Sequence, residues 1–342
     1  SWLYMTFGQT PLVAGLFYGI KPAVAAIVVH AAHRIGSRTL RNGVLWAIAA
    51  AAFVAIFAFD LPFPAIVLGA AIVGLIGGRL APGRFATGGG HGGNAAASAG
   101  PAVIDDGTPT PAHARFAVPR LLAVAAIGVA LWALPMGLLA AFLGWDHILT
   151  QMGWFFTKAA LLSFGGAYAV LPYIYQGAIE DFGWLSSSQM MDGLALGEST
   201  PGPLIMVVAF VGFVGAWGKA PFGPDALLLA GALAAALVTW FTFLPSFLFI
   251  FAGGPLVEST HGDLKFTAPL TAITAAVVGV IANLAVFFGY PVLWPTGFSG
   301  GPDPVAAAIA LGAAVALFRF KANVIHVIAA CAGLGLAARF LA

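Results

Sequence analysis

The sequence predicts an all-α polytopic membrane protein of about ten transmembrane helices, built as inverted repeats with broken helices. Three observations predict it. The chain is 61% hydrophobic and only 8% charged, with a mean hydropathy of +0.99. Its apolar residues run continuously over span-length stretches and do not alternate, which argues for helices and against a β-barrel. Helix breakers stand inside two of those stretches, where lipid cannot satisfy the backbone groups they free.

Taken in order, Thr6–Arg34 is the first apolar stretch, interrupted by Lys21-Pro22. Arg34, Arg38 and Arg41 follow it. Val44–Phe59 is a second span and Ala65–Ile76, with its flanks, a short third. Pro82–Pro119 is rich in Gly, Pro, Ala and His and poor in large apolar residues, as a flexible linker is. His91 and His113 in it read as solvated, since neither has a second ligand at a fixed spacing. Leu121–Leu143 is the next span. Met152–Tyr175 and Met191–Trp217 carry the two breaks. Ala226–Phe251 follows, with a kink expected at Pro245, then a loop Gly253–Lys265. Thr267–Gly289, Pro304–Phe318 and Asn323–Leu341 complete the chain.

Ile20–His30 lines up with Ile273–Asn283, and the next pair of spans also corresponds, Phe57 and Phe59 matching Phe318 and Phe320. The division expected is therefore 1–80 as the last three spans of a first repeat, 81–119 as a cytoplasmic linker, and 120–342 as a linking span plus a complete second repeat. Arg34, Arg38, Arg41, Arg79, Arg84, Arg115 and Arg120 put their loops in the cytoplasm by the positive-inside rule. The first span then runs inward. About four spans later its counterpart Thr267–Gly289 runs outward, so the repeats are inverted. Ser1 opens directly into apolar sequence without a basic n-region, so no signal peptide is expected, and without an initiator Met the chain is expected to start within a longer protein.

The two interrupted stretches carry the candidate site. The first reads Ser163-Phe164-Gly165-Gly166-Ala167-Tyr168 and the second Gly197-Glu198-Ser199-Thr200-Pro201-Gly202-Pro203. Glycines allow close backbone approach, helix N-termini offer N–H donors and partial positive charge, and hydroxyls add donors. Ser163, Gly165, Gly166, Tyr168, Ser199, Thr200 and Gly202 are the expected substrate-binding residues. The competing reading of glycine in such helices is close packing, preferred for Gly212 and Gly215. Lys158 and Lys21 are intramembrane cations and candidate counter-charges; for Lys158, snorkelling is the alternative. Glu198, beside the second break, is the candidate proton-coupling residue, with a structural hydrogen bond as the alternative. Asp192 reads as a helix cap. His30 and Asn283 read as packed polar contacts.

Phe164-Gly165-Gly166-Ala167, Leu171-Pro172, Gly193 through Pro203, Gly15 with Gly19-Ile20-Lys21-Pro22, and Thr274–Leu284 together resemble the chromate ion transporter family. The resemblance covers nearly all the chain outside the linker. It implies two homologous halves in opposite orientation, transport of chromate with sulfate as the similar anion, and resistance by efflux across a bacterial inner membrane. The family's first-half motifs are absent here.

Other classes are poorly served. There is no HExxH, no paired catalytic carboxylates and no spaced serine–histidine pair, so an enzyme is not expected. No cofactor or metal is expected, and the single Cys331 excludes an intramolecular disulfide. A net charge of +2 gives no reason to expect nucleic acid. The partners expected are the oxyanion and the bilayer, with a homodimer open. An anion channel and an accessory half needing a partner subunit remain the alternatives.

Overall fold

The computed structural model describes residues 1–8, 10–85, 117–163, 167–199, 203–259 and 267–341. All regular structure among them is helical. In order the helices are α1 (Trp2–Phe7), α2 (Pro11–Thr39), α3 (Gly43–Phe59), α4 (Phe63–Leu80), α5 (Pro82–Phe85), α6 (Val118–Leu143), α7 (Ile148–Leu161), α8 (Ala167–Tyr175), α9 (Ser187–Ser199), α10 (Val207–Lys219), α11 (Leu227–Ser259), α12 (Thr267–Leu293), α13 (Pro304–Phe318) and α14 (Val324–Leu341). A π-helical turn, Gln176–Asp181, extends α8, and a 3₁₀ turn, Leu204–Met206, leads into α10. Six helices are long and apolar enough to cross a membrane, and three shorter apolar helices accompany them. The chain is a multi-pass membrane protein.

Several expectations change. α2 does not break at Lys21-Pro22: it continues through both to Thr39. A proline inside a buried membrane helix is tolerated because neighbouring groups take over the carbonyl it orphans, and here Pro22 is buried in the bundle. α11 runs on to Ser259, past the Gly253 at which a loop was expected to begin. The first residues of the expected linker form α5. Its Phe85 is 3% exposed and packs on Gly77, while Asn42 Nδ2 donates to Arg84 O at 2.7 Å. His91 and His113 lie outside the described residues.

The two interrupted stretches are not crossing helices. α7 stops at Leu161 and the chain returns as α8: Phe155 stacks on Tyr173, with ring centroids 4.8 Å apart, and also closes on Gly177. α9 stops at Ser199 and returns as α10, so that Gly197 faces Leu204 and Val207 while Gly193 faces Phe210. Each pair is a helical hairpin. Even with their π-helical and 3₁₀ turns included, the arms Ile148–Leu161, 167–181, Ser187–Ser199 and Leu204–Lys219 fall short of the roughly 20 residues that a crossing needs.

Around the hairpins stands a bundle with two similarly built parts. α2 and α12 run antiparallel, Gly36 meeting Val278 at one end and Pro22 sharing a pocket with Val292 at the other. α13 and α14 pack on α2, and α3 and α4 pack on α12. Asn42 caps α3 by accepting from Val44 and Leu45 N–H, and Asp303 caps α13 by accepting from Val305 and Ala306 N–H. Past the far ends of these helices, Asp60 and Lys321 take left-handed backbone at φ 47° and 51°. Leu61 N–H then reaches back to Ala55 O, and Ala322 N–H to Ala316 O. Gly74 of α4 seats on Ala268 and Ala272 of α12, and Gly335 of α14 seats on Gly15 and Gly19 of α2. At Gly19 the approach leaves no room for a side chain: a Cβ would stand 1.9 Å from Cys331 O.

Candidate functional site

The tips of the two hairpins come together. Tyr168, in the first turn of α8, donates its hydroxyl to Glu198 Oε1 near the end of α9. Beside this pair a cavity of about 370 Å³ is bounded by Ser163 and Ala167 from the first hairpin, Pro203 and Leu204 from the second, and Thr242 and Ser246 of α11. Ala167 opens α8, and Leu204 opens the turn that leads into α10. Two helix N-termini therefore border one space. First-turn N–H groups have no intrahelical acceptor and carry the positive end of the helix dipole, so this end of the site suits an anion. The hydroxyls are less free: Ser163 donates to Ala160 O and Thr242 to Val238 O, both at 2.7 Å.

The positions of the expected residues divide. Ser163 lines the cavity, and Tyr168 and Glu198 form the pair beside it. Ser199 is the last residue of α9. Gly165, Gly166, Thr200 and Gly202 lie outside the described residues. Lys158, in the last turn of α7, is not one of the side chains bounding the cavity. Lys21 is elsewhere, beside a second pocket, where its Nζ lies 3.5 Å from Asp192 Oδ1 and donates to Ser188 Oγ at 2.6 Å.

Asp192 is not a cap. It is interior to α9, which begins at Ser187, and its side chain is 5% exposed. Besides Lys21 it holds Tyr4, whose hydroxyl donates to Oδ2 at 2.8 Å. A carboxylate removed from water needs such partners. The signal was present: Ser188 and Asp192 stand one turn apart on one helix face. Arg34 was read only as a topology marker, yet its charge acts on both Tyr168 and Glu198. Gly212 and Gly215 do serve packing, against Ala234 and Val238 and against Met152 and Trp184. His30 packs edge-on to Phe318, with centroids 5.0 Å apart.

Paired half-length hairpins whose helix N-terminal ends border one cavity are an arrangement that transporter folds with discontinuous helices also use. The family model described as chromate transporter matches residues 1–75 and 150–336. The chain belongs to the chromate transporter family. It is similar to the chromate transport protein of Pseudomonas aeruginosa, 32% identical over 294 residues, covering 84% of this chain and 58% of that one. It is also similar to the chromate transport protein of Cupriavidus metallidurans, 26% identical over 288 residues, covering 84% and 59%. The probable chromate transport protein of Synechococcus elongatus is 31% identical over 142 residues, covering 42% and 33%. The chain thus spans less than two thirds of the length of these relatives. No solved structure matches it.

Proposed function

We propose that this chain is a secondary active transporter of a tetrahedral oxyanion, chromate first and sulfate as its chemical neighbour. It works by alternating access in a bacterial inner membrane and exports chromate. The observation that carries this reading is the convergence of the α8 and α10 N-terminal ends on one cavity. An oxyanion bound there would be held by backbone N–H groups without a full desolvated counter-charge. Ser163, Gly165, Gly166, Tyr168, Ser199, Thr200 and Gly202 would form the binding shell, with Lys158 and Lys21 as more distant cations and Glu198 as the coupling carboxylate.

The matched caps, left-handed ends and glycine seats of α3–α4 and α13–α14 support an inverted repeat. Two re-entrant hairpins change no orientation, because each returns to the side it left; α2 still runs inward and α12 outward. Segment 81–119 would then be cytoplasmic. The chain's coverage of only 58% of a relative favours one second reading, a half that completes its site with a further subunit or a second copy of itself.

The deciding experiment is uptake of radiolabelled chromate and sulfate into proteoliposomes of the purified chain, with and without an imposed pH gradient. Saturable uptake that responds to the gradient supports the carrier. Unsaturable flux would indicate a channel, and no flux without an added subunit would indicate the half-carrier.

A further inference from the structure

The pocket beside Lys21 stands apart from the hairpin tips. It holds about 260 Å³ and is bordered by Lys21, Ser188, Tyr18 and Asp303, closed by Pro22 and Pro291. Two of these groups are already engaged with each other. Tyr18 donates to Asp303 Oδ2 at 2.6 Å, and Asp303 Oδ1 accepts from Val305 and Ala306 N–H. Lys21 and Ser188 are joined as well, Lys21 Nζ donating to Ser188 Oγ at 2.6 Å, but the ammonium has further N–H groups and the serine a hydroxyl proton that could turn to a guest. Behind them is Asp192, whose two oxygens differ: Oδ2 takes the Tyr4 hydroxyl, whereas Oδ1 is buried and completes no hydrogen bond, although the Lys21 ammonium is 3.5 Å away.

The geometry points to this pocket as a second oxyanion station, with Asp192 as a built-in competitor for Lys21 that must take up a proton before an anion can use the ammonium. The inference rests on the oxyanion-carrier reading and places a second step in it. A dianion at Lys21 would face the Asp192 carboxylate across a few ångströms, and because Asp192 is only 5% exposed water screens the repulsion of the like charges poorly. A proton on Oδ1, the oxygen with an unfilled acceptor site, removes that repulsion and frees the ammonium. The balance is one proton taken up by the carboxylate per anion bound, and one released when the anion leaves. Among the described residues, the ionisable groups acting on Asp192 are Lys21 of α2 and Tyr4 of α1. α10 and α14 also pack against α9 and add none. Asp303 adds a negative wall to the pocket, so an anion arriving with its proton is the electrostatically tolerable event. This step belongs to Asp192 whatever Glu198 does at the hairpin tips.

The test is equilibrium binding of chromate to the purified full chain in detergent across a pH series, with proton uptake measured in parallel. Wild type should bind more tightly as pH falls and take up protons on binding. Asp192→Asn should bind at every pH as wild type does at low pH, and the anion's own protonation is common to both chains. Lys21→Gln should weaken binding by about tenfold or more, the loss of one charge-assisted contact. Tyr4→Phe removes a donor that favours the charged carboxylate, so it should move the binding profile to higher pH; a merely structural tyrosine would lower protein yield without moving the profile. If Asp192→Asn elutes as a folded monodisperse protein and keeps the wild-type pH dependence, Asp192 is not the competitor. Should Asp192→Asn fail to fold, an unmoved Tyr4→Phe profile overturns the inference just as well. Absence of chromate binding by wild type at any pH would sink the oxyanion reading itself.

Discussion

Tyr168 and Glu198, thirty residues apart in sequence, are joined by one hydrogen bond that ties the first hairpin to the second. A carboxylate at that junction senses whatever charge enters the cavity beside it. Glu198→Gln should uncouple transport from a pH gradient while leaving anion-for-anion exchange largely intact. Flux in proteoliposomes with and without the gradient measures both. Full gradient-driven transport in the variant would reduce Glu198 to a structural hydrogen-bonder. Tyr168→Phe should keep coupling but shift its pH dependence.

The glycine seats make a stability prediction with an internal control. At Gly335 a Cβ would meet Gly19 N at 2.2 Å, whereas at Gly333, on the same helix, it would meet nothing within 4 Å. Gly335→Ala should destabilise by about 1–3 kcal/mol or more, the cost of overpacking a backbone contact. Gly333→Ala should be neutral or slightly stabilising. Thermal unfolding in one detergent compares them directly.

Asn42 and Asp303 cap corresponding helices by the same geometry, and replacing either by Ala should cost about 1 kcal/mol. Only the aspartate titrates. Its partial burial works toward a higher pKa, but the Tyr18 hydroxyl and the Ala306 and Val305 N–H groups outweigh that and hold the carboxyl below its ordinary value. A depressed folded pKa means that the cap's contribution is present above the unfolded pKa and lost as pH falls through the folded one. Acid should therefore loosen the α13 end in wild type. Asp303→Asn, which keeps an acceptor but does not titrate, should lose that acid sensitivity in melting curves taken down a pH series.

Orientation is testable at the linker. Ser98→Cys, in a chain whose buried Cys331 is replaced by Ser, should resist a membrane-impermeant thiol reagent in intact cells and react after permeabilisation. Rapid labelling from outside would reverse the assignment of every loop.

Composition and apolar runs were enough to read the membrane class, and the breakers of the two motifs fall between helices that the structure separates, α7 from α8 and α9 from α10. What they could not say is which way the chain goes afterwards. Met152–Tyr175 is long enough to cross, and it takes tertiary contacts such as the Phe155–Tyr173 stack and the Gly193–Phe210 contact to show that both motifs fold back. Lys21-Pro22 misled for the opposite reason: a breaker signal was overruled by the packing around it. Asp192 read as a cap because its partners Lys21 and Tyr4 are remote in sequence; the local spacing of Ser188 and Asp192 marks a polar helix face but not what meets it. Of the residues picked out by type, Ser163, Tyr168 and Glu198 are brought to or beside one cavity. That Tyr168 and Glu198 bond to each other depends on two hairpins meeting, a tertiary fact.

The seating of Gly335 on Gly15 and Gly19 joins α14 to α2, two helices far apart in sequence. During synthesis α2 is made long before α14, so its glycine face must wait in lipid until α14 has left the ribosome. That face is therefore closed late, as a clasp closes. A chain stopped before Val324 would leave α2 with its small-residue face open, a target for membrane quality-control proteases even though the whole hairpin region had already been made.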